Sequence, residues 1–179
     1  DALLTCHSLT GYSGGGKKMI AEYEEDGRNV LLDAPRQYGI TQSHKHLKEM
    51  KKITGLNKEP LFSPIICDYY SGMVMSVPLY TDMLHNVKGV EDVHAMLDKF
   101  YEGQKFVKVM PLDAQAGEGN MLAGNGCSGW DGLKIFVTGN EERIVLSSQF
   151  DNLGKGASGA AIQCLNIVLG CEEDKGLVL

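Results

Sequence analysis

The sequence predicts an α+β fold, in which helices pack on one face of a mixed, mainly antiparallel sheet. Predicted strands outnumber predicted helices, and the strands come as neighbouring pairs separated by short turns. The helices are inserted between these pairs instead of alternating with single strands, so a doubly wound parallel sheet is not expected. A chain of 179 residues with 43% hydrophobic content can bury a core of its own, and one domain is the default expectation.

The first predicted elements surround a glycine-rich loop. Leu3 to Leu9 is rich in apolar residues and predicts a strand, which the loop from Gly11 to Gly16 connects to a helix from Lys17 to about Glu25. The polar segment from Thr41 to His46 then leads into a short helix from Leu47 to Ile53. The glycine loop is therefore predicted to lie between the end of a strand and the start of a helix.

The middle of the chain predicts further strands around one helix. Two runs dense in Ile, Val, Met and Tyr, from Leu61 to Asp68 and from Gly72 to Tyr80, predict a long antiparallel hairpin through the middle of the sheet. Apolar residues recur at helical spacing from Val90 to Tyr101, which predicts an amphipathic helix. Phe106 to Met110 predicts a strand, and the glycine-rich stretch from Gln115 to Asp131 predicts a surface loop.

The last part of the chain predicts a second hairpin and a terminal helix. Leu133 to Thr138 and Arg143 to Phe150 alternate apolar and polar residues on either side of a short turn, which is typical of a hairpin. Lys155 to Leu169 is rich in alanine and begins with small residues, and it predicts a helix.

Charge and composition argue against several classes of partner. The formal net charge of -6 disfavours nucleic acid and anionic membranes, which bind basic surfaces. Apolar runs such as Ile162 to Leu169 are far shorter than the ~20 residues of a membrane-spanning helix. The five scattered cysteines show no metal or redox spacing and are typical of a reducing cytoplasm. We expect a soluble cytoplasmic protein whose partners are small molecules or other protein chains.

The glycine loop is the sharpest local motif. Gly11 to Lys18 nearly matches a phosphate-binding P-loop, but Lys18 stands where a Ser or Thr would coordinate magnesium. In a P-loop interpretation Asp68 would be a companion magnesium ligand, although it is equally an ordinary strand end. A general anion site fits better, since backbone N–H groups at a helix N-terminus beside Lys17 suit a phosphate or carboxylate. A tight turn that needs positive φ is the purely structural alternative.

Two further segments are candidates for chemistry. His44-Lys45-His46 holds two imidazoles that titrate near neutrality and could transfer protons, but it lacks further ligands at metal-binding spacing. Asp151 to Ala160 opens the terminal helix with glycines and small residues, which allow a ligand or another backbone to come close. Cys127 has no adjacent base in the sequence, so a structural role is favoured over a nucleophilic one.

Four motifs together resemble the N-acetyl-gamma-glutamyl-phosphate reductase family, in its shorter type 2 branch. They follow the family's order and are spread over nearly the whole chain: Thr10 to Ala21, His44 to Met50, Phe62 to Pro64, and Asp151 to Gln163. The chain departs from the family pattern at Lys48, where the family has Pro.

The resemblance implies an arginine-biosynthesis enzyme that reduces N-acetyl-glutamyl 5-phosphate to the semialdehyde with NADPH and releases phosphate. It implies that His44, with His46 as a second candidate, handles protons. It implies that the anionic substrate is held by Ser13, Gly14 and Lys17. It implies no metal site. It also implies that NADP is contacted by Asn152, Gly154, Lys155, Gly156 and Ser158.

The resemblance also implies how the chain is organised. Residues 1–153 would form a substrate-binding and dimerisation domain like the C-terminal domain of glyceraldehyde-3-phosphate dehydrogenase, whose sheet supports a homodimer or homotetramer. Residues 154–179 would form a helix and tail that pack on a dinucleotide-binding domain. In the family that domain binds most of NADP and lies upstream with the nucleophilic cysteine, so we expect this chain to be inactive by itself.

Three alternatives remain open at this point. An enzyme similar to aspartate-semialdehyde dehydrogenase would use the same chemistry on a related fold. A non-catalytic module for ligand binding or oligomerisation would need no second half. A P-loop nucleotide hydrolase would bind nucleotide with magnesium through the glycine loop.

Overall fold

The computed structural model describes residues 3–179, which form a seven-stranded sheet with helices beside it. The strands are β1 (Thr5–Gly11), β2 (Arg36–Gln37), β3 (Leu61–Cys67), β4 (Met73–Tyr80), β5 (Val107–Val109), β6 (Leu133–Gly139) and β7 (Arg143–Phe150). The helices are α1 (Gly16–Glu24), α2 (His46–Thr54), α3 (Val90–Phe100) and α4 (Gly159–Val168). The predicted α+β class is confirmed. Residues 1 and 2 of the predicted first domain lie outside the described residues.

The strand order is β2-β3-β1-β4-β7-β6-β5. β1 is parallel to β3 and antiparallel to β4, while β4 pairs with β7 and β7 with β6, both antiparallel. The hairpin predicted across β6 and β7 is therefore confirmed. The hairpin predicted for β3 and β4 is wrong, because β1 lies between these two strands.

The connection from β3 to β4 crosses the end of β1. Strands separated by one intervening strand are only about 10 Å apart, so the short segment 68–72 can bridge them. Its carbonyl groups accept hydrogen bonds from the residues that follow β1: Tyr12 N donates to Tyr69 O (2.9 Å) and Ser13 N to Tyr70 O (3.1 Å). The hairpin prediction failed because two β-rich runs joined by a short turn look the same whether or not a distant strand is inserted.

The crossing explains why β1 ends in glycine. The N–H of Gly11 donates to the carbonyl of Gly72 over 3.0 Å. A Cβ at residue 11 would lie only 2.5 Å from the carbonyl oxygen of Tyr70, which belongs to the backbone of the crossing segment and cannot rotate away. A side chain at this position is therefore incompatible with the crossing.

All helices that pack on the sheet cover the same face. On that face α2 places Leu47 against Cys6 and Phe62, and α3 places Val93 against Val137. Cys6 and Phe62 are directly paired across β1 and β3, so their side chains point to one side. The predicted one-sided helix packing is confirmed.

Within residues 3–179, no α-helix packs on the opposite face, which we call the open face. Leu9, Leu61 and Tyr80 point to it and are 36%, 60% and 63% exposed. None of the helices within residues 3–179 is long and apolar enough to cross a membrane.

The glycine-rich stretch from 115 to 131 is a largely exposed loop, as predicted, but part of it is anchored to the sheet. Part of it covers Gln149, which points to the open face and is fully buried. The Gln149 amide donates to Ala123 O (2.8 Å) and accepts from the Cys127 thiol (3.4 Å), and Cys127 is only 3% exposed. A buried amide needs such partners, so the segment around Ala123 and Cys127 is held against the sheet while most of the loop stays exposed.

The predicted terminal helix is also modified at its start. Residues Gly154–Ser158 form a π-helical turn, and the regular helix α4 begins only at Gly159. Asp131 lies against this start and requires glycine at residue 159, because a Cβ there would lie 2.2 Å from its carboxylate.

The crossing predicts the effect of Gly11→Ala. Because the new Cβ would collide with backbone, we expect a loss of about 1–3 kcal/mol in the free energy of unfolding, as in other overpacked sites. Gly117→Ala is the control, since no atom lies within 4 Å of a Cβ placed there. Urea unfolding would measure both variants, and equal stability of the two would contradict the role of the crossing.

Candidate active site

The ends of β1 and β7 meet at one edge of the sheet. Thr10 of β1 lies opposite Met73 of β4, and Met73 lies opposite Phe150 of β7. Residues that follow β1 and β7 therefore leave the sheet side by side. This brings two of the predicted site segments together, one beginning at Ser13 and the other at Asn152.

The side chain of Asn152 joins these segments directly. Its Nδ2 donates to the Oγ of Ser13 over 3.0 Å, although the two residues are 139 positions apart. Its Oδ1 accepts from the N–H of Gly72 over 2.7 Å. Asn152 thus links the predicted substrate loop, the β3–β4 crossing and the predicted cofactor segment.

The glycine loop presents only part of its predicted binding set to solvent. Residues Tyr12–Gly15 form a 3-10 turn, and Gly16 (φ 75°) leads from it into α1. Ser13 is 5% exposed and has Asn152 as its partner, whereas Gly14 and Lys17 are exposed. Gly14 and Lys17 can meet a ligand directly, while Ser13 holds the loop in place.

The companion ligand of the P-loop interpretation is already engaged. Arg28 donates from both Nη atoms to the two carboxylate oxygens of Asp68, over 2.9 and 2.5 Å. The hydrogen bonds from Arg28 lower the pKa of Asp68. Within residues 3–179 no group of three His, Cys, Asp or Glu side chains is placed to hold a metal ion. Asp68 is an ion-pair partner in this structure, which disfavours magnesium-dependent nucleotide binding.

The two histidines of the predicted catalytic segment are in contact. Their ring centroids are 4.9 Å apart, and the N–H of His46 donates to Nδ1 of His44 over 3.3 Å. His44 is half-buried and packs edge-on against Phe62 and beside Tyr38. Burial lowers the pKa of His44, and the charges of His46 and Lys45 lower it further. His44 is therefore neutral at pH 7, as a proton acceptor must be.

The histidines lie apart from the Ser13–Asn152 contact. His44 packs against Phe62, which pairs with Cys6 near the start of β1, whereas Ser13 follows the end of that strand. Among the described residues, no hydrogen bond or ring contact joins either histidine to Ser13 or Asn152. The structure thus assembles two neighbourhoods along β1 where the sequence predicted a single set of residues.

The side chains of the predicted cofactor segment have partners within the chain. The ammonium of Lys155 donates to Oε1 of Gln163, and the hydroxyl of Ser158 donates to the carbonyl of Leu153 over 2.7 Å. Gly156 and Ser158 are nevertheless exposed. What this segment offers to a ligand is exposed backbone and small side chains, not free charged groups.

One residue of this edge was missed as a site residue. Asp151 is 4% exposed, and its carboxylate accepts from Gly129 N (2.6 Å), Leu153 N (2.8 Å) and Ser71 Oγ (3.4 Å). An aspartate between an apolar strand and a helix is a capping pattern, and that signal could have identified it. Cys127 lies in the same region, where burial raises the pKa of its thiol, so it stays protonated and does not act as a nucleophile.

Comparisons with solved structures identify the class of fold. Aspartate semialdehyde dehydrogenase II from Vibrio cholerae superposes with a TM-score of 0.64 at 15% identity, over 93% of this chain and 54% of that one. A probable aspartate-semialdehyde dehydrogenase from Pseudomonas aeruginosa gives a TM-score of 0.63 at 15% identity. The fold is that of the C-terminal domain of semialdehyde dehydrogenases, as the sequence predicted.

Sequence comparison then gives the family. The family model described as semialdehyde dehydrogenase, dimerisation domain, matches residues 1–152, and the chain belongs to this family. "N-acetyl-gamma-glutamyl-phosphate reductase 2" of Nostoc sp. is 39% identical over 97% of this chain and 56% of that protein. "N-acetyl-gamma-glutamyl-phosphate reductase" of Rhizobium meliloti is 40% identical over 93% of this chain and 54% of that protein. The chain thus spans about half the length of the curated relatives it matches.

The contact between the two histidines predicts a shift that titration can measure. In His46→Gln, loss of the neighbouring His46 ring should raise the pKa of His44, because one of the groups that lower it is removed. The matched control is Lys48→Gln, which removes another exposed charge from α2. NMR titration of the His44 ring would measure both, and an unchanged pKa of His44 in His46→Gln would contradict the coupling.

Proposed function

We propose that this chain is the substrate-binding and dimerisation portion of a cytoplasmic NADP-dependent reductase of arginine biosynthesis. Its reaction converts N-acetyl-glutamyl 5-phosphate to N-acetyl-glutamate 5-semialdehyde and phosphate. The observation that carries the proposal is the 39% identity to the Nostoc reductase, because it extends over 97% of the chain and so includes every motif discussed above.

The proposed chemistry needs an anion site and a group that handles protons. The substrate carries a phosphate and a carboxylate, and the exposed Gly14 and Lys17 offer backbone donors and a cation for one of them. Ser13 supports this loop through its contact with Asn152. We assign substrate binding to these three residues, Ser13, Gly14 and Lys17.

The histidine pair is assigned to proton transfer. His44 is the preferred general base because its lowered pKa keeps it neutral at pH 7, and His46 is the second candidate. The pair and the glycine loop lie at different positions along β1, so we place them against different parts of the substrate. The reacting carbonyl would lie near the histidines and an anionic group at the glycine loop.

This chain would contact only part of NADP, at the edge of the proposed cofactor site. When bound, the cofactor supplies the hydride that reduces the acyl group. The turn from Gly154 to Ser158 is exposed at Gly156 and Ser158, which allows close approach. Lys155 and Asn152 lie beside it, although their polar groups have partners in this chain. We propose that a dinucleotide-binding half, of the kind that would account for the greater length of the relatives, binds most of the cofactor and supplies the nucleophilic cysteine.

Residues 154–179 are proposed to pack on that second half. α4 and the residue after it carry an exposed apolar surface, which packing against a second domain would shield from water. The exposed fractions are 54% for Leu165, 58% for Ile167, 81% for Val168 and 64% for Leu169. Residues 1–153 would then be the substrate-binding and dimerisation domain.

The open face is the proposed surface for self-association. A dimerisation domain implies an oligomer, and this face combines exposed apolar groups with the absence of any covering helix. Beside it Leu3, Pro78, Tyr80 and Val145 line an apolar hollow of about 480 Å³. We propose a homodimer, or a homotetramer built from such dimers.

An enzyme similar to aspartate-semialdehyde dehydrogenase is the second candidate. The structural likeness to the Vibrio cholerae enzyme favours it, with a TM-score of 0.64. The two candidates differ in substrate, since one reduces an N-acetyl-glutamyl phosphate and the other an aspartyl phosphate. Activity with only the second substrate would select this alternative, and activity of the complete protein with neither would favour a non-catalytic module.

Activity with each substrate is the direct test of the proposal. The complete protein, with its dinucleotide-binding half, should reduce NADP when given N-acetyl-glutamate semialdehyde and phosphate, and the 179-residue chain alone should not. In the complete protein His44→Ala should lower turnover by ~10²–10⁴, which is the usual effect of losing a general acid or base. His85→Ala is the control because His85 is exposed in a loop outside both neighbourhoods. Unchanged turnover in His44→Ala would contradict the assignment of His44 as the general base.

The open face gives a prediction about assembly. Leu9→Asp places a charge on β1, an interior strand of this face, and should convert the oligomer to monomers, because burying an unpaired carboxylate is costly. Ile53→Asp is the matched control, since Ile53 is 85% exposed on α2, beside the other face. Sedimentation velocity would measure both variants, with circular dichroism to confirm folding, and a folded Leu9→Asp oligomer would contradict the proposal.

A further inference from the structure

We propose that Asp151 is a positioning residue, which holds the substrate loop and the cofactor segment in register with each other. This inference rests on the function proposed above and gives a role to a residue that lies in a sequence motif but received no role of its own there.

The carboxylate of Asp151 is buried with hydrogen bonds from three separate segments. It accepts from Ser71 of the β3–β4 crossing, from Gly129 of the glycine-rich stretch and from Leu153 at the start of the terminal helix. With 4% of its surface exposed, the side chain depends on these donors to offset the loss of water. No cation pairs with it among the described residues, so the donors alone stabilise its charge.

The backbone of Asp151 extends this anchoring into the terminal helix. Its carbonyl accepts from the N–H of Gly156 over 2.8 Å, which closes the π-helical turn. The same turn contains Lys155 and ends at Ser158, both proposed to approach the cofactor. Asp151 therefore fixes the geometry at the start of the cofactor segment.

Asn152 carries the anchoring to the substrate loop. Asn152 follows Asp151 directly in the chain. Fixing the backbone at Asp151 therefore also positions the Asn152 side chain, which bonds Ser13 and Gly72. Ser71, the neighbour of Gly72, is held by Asp151 in turn. The adjacent side chains of Asp151 and Asn152 thus connect the substrate loop to the cofactor segment through direct hydrogen bonds.

Asp151→Asn breaks this connection with little change in volume. The amide nitrogen that replaces one carboxylate oxygen would face a donor, since each oxygen of Asp151 accepts from a backbone N–H. Because both segments are anchored here, we expect the KM values for the acyl phosphate and for NADPH each to rise about tenfold in the complete enzyme. A purely structural role would reduce the amount of folded enzyme but leave both KM values unchanged.

Amide hydrogen exchange gives a readout that does not depend on activity. In Asp151→Asn of the complete protein, exchange should accelerate at residue 72 and at 153–158, where Gly72 N–H donates to Asn152 and the amides of Leu153 and Gly156 donate to Asp151. It should also accelerate at residues 11–13, because these amides donate to carbonyls of the β3–β4 crossing, which Asp151 and Asn152 hold through Ser71 and Gly72. Asp92→Asn is the matched control. It removes a carboxylate oxygen that accepts from the N–H of Lys88 over 2.8 Å, next to α3 and away from the site.

The outcomes separate this inference from the proposed function. Faster exchange in both segments together with higher values of both KM would support the positioning role. Unchanged exchange at residues 11–13, or faster exchange with unchanged KM values, would overturn it. If the unsubstituted complete protein reduces neither acyl phosphate, the proposed function fails before any variant is measured, and the exchange result still decides whether Asp151 couples the two segments.

Discussion

The insertion of β1 between β3 and β4 is the constraint on which the rest of this structure depends. It makes β1 the strand that joins the two parts of the sheet, and it forces the β3–β4 connection to cross the end of β1. Only a residue without a side chain tolerates that crossing, which is why Gly11 stands there. The crossing then gives Ser71 and Gly72 to the polar network that Asp151 and Asn152 complete.

Apolar and polar burial are divided between different parts of the molecule. Beneath the helices most of the buried groups are apolar, as around Leu47 and Val93, although Ser8 and Thr10 are buried on the same face. At the edge where β1 and β7 end, the buried groups are Ser13, Gln149 and Asp151, and each has hydrogen-bond partners in loops. Apolar packing is tolerant of small shifts, whereas buried polar groups need exact partners and fix geometry. A binding site requires accurately positioned polar groups, and here they lie at the sheet edge, on a core whose apolar packing tolerates small shifts.

Much of the fold follows from local patterns, and the remainder depends on pairing. Alternation, helical spacing and turn residues predicted the β6–β7 hairpin, α3 and the terminal helix, because those signals act over neighbouring residues. Strand order is different, since nothing within 61–80 reveals that a strand from the start of the chain separates its two halves. The site motifs were predicted as segments, but their arrangement was not. The hydrogen bonds from Ser71 to Asp151 and from Asn152 to Ser13 join residues that are distant in sequence, which a single sequence does not display.

The Asn152–Ser13 contact also dictates when the site can form during synthesis. The two residues are 139 positions apart, so the glycine loop leaves the ribosome long before its partner. At typical elongation rates of about 5–20 residues per second, that wait lasts roughly ten seconds. During it β1 can pair with β3 and β4, but the edge that holds the loop is still missing. The contact between Asn152 and Ser13 therefore forms last, after β7 has been synthesised, and a nascent chain stopped before β7 would hold a glycine loop without it.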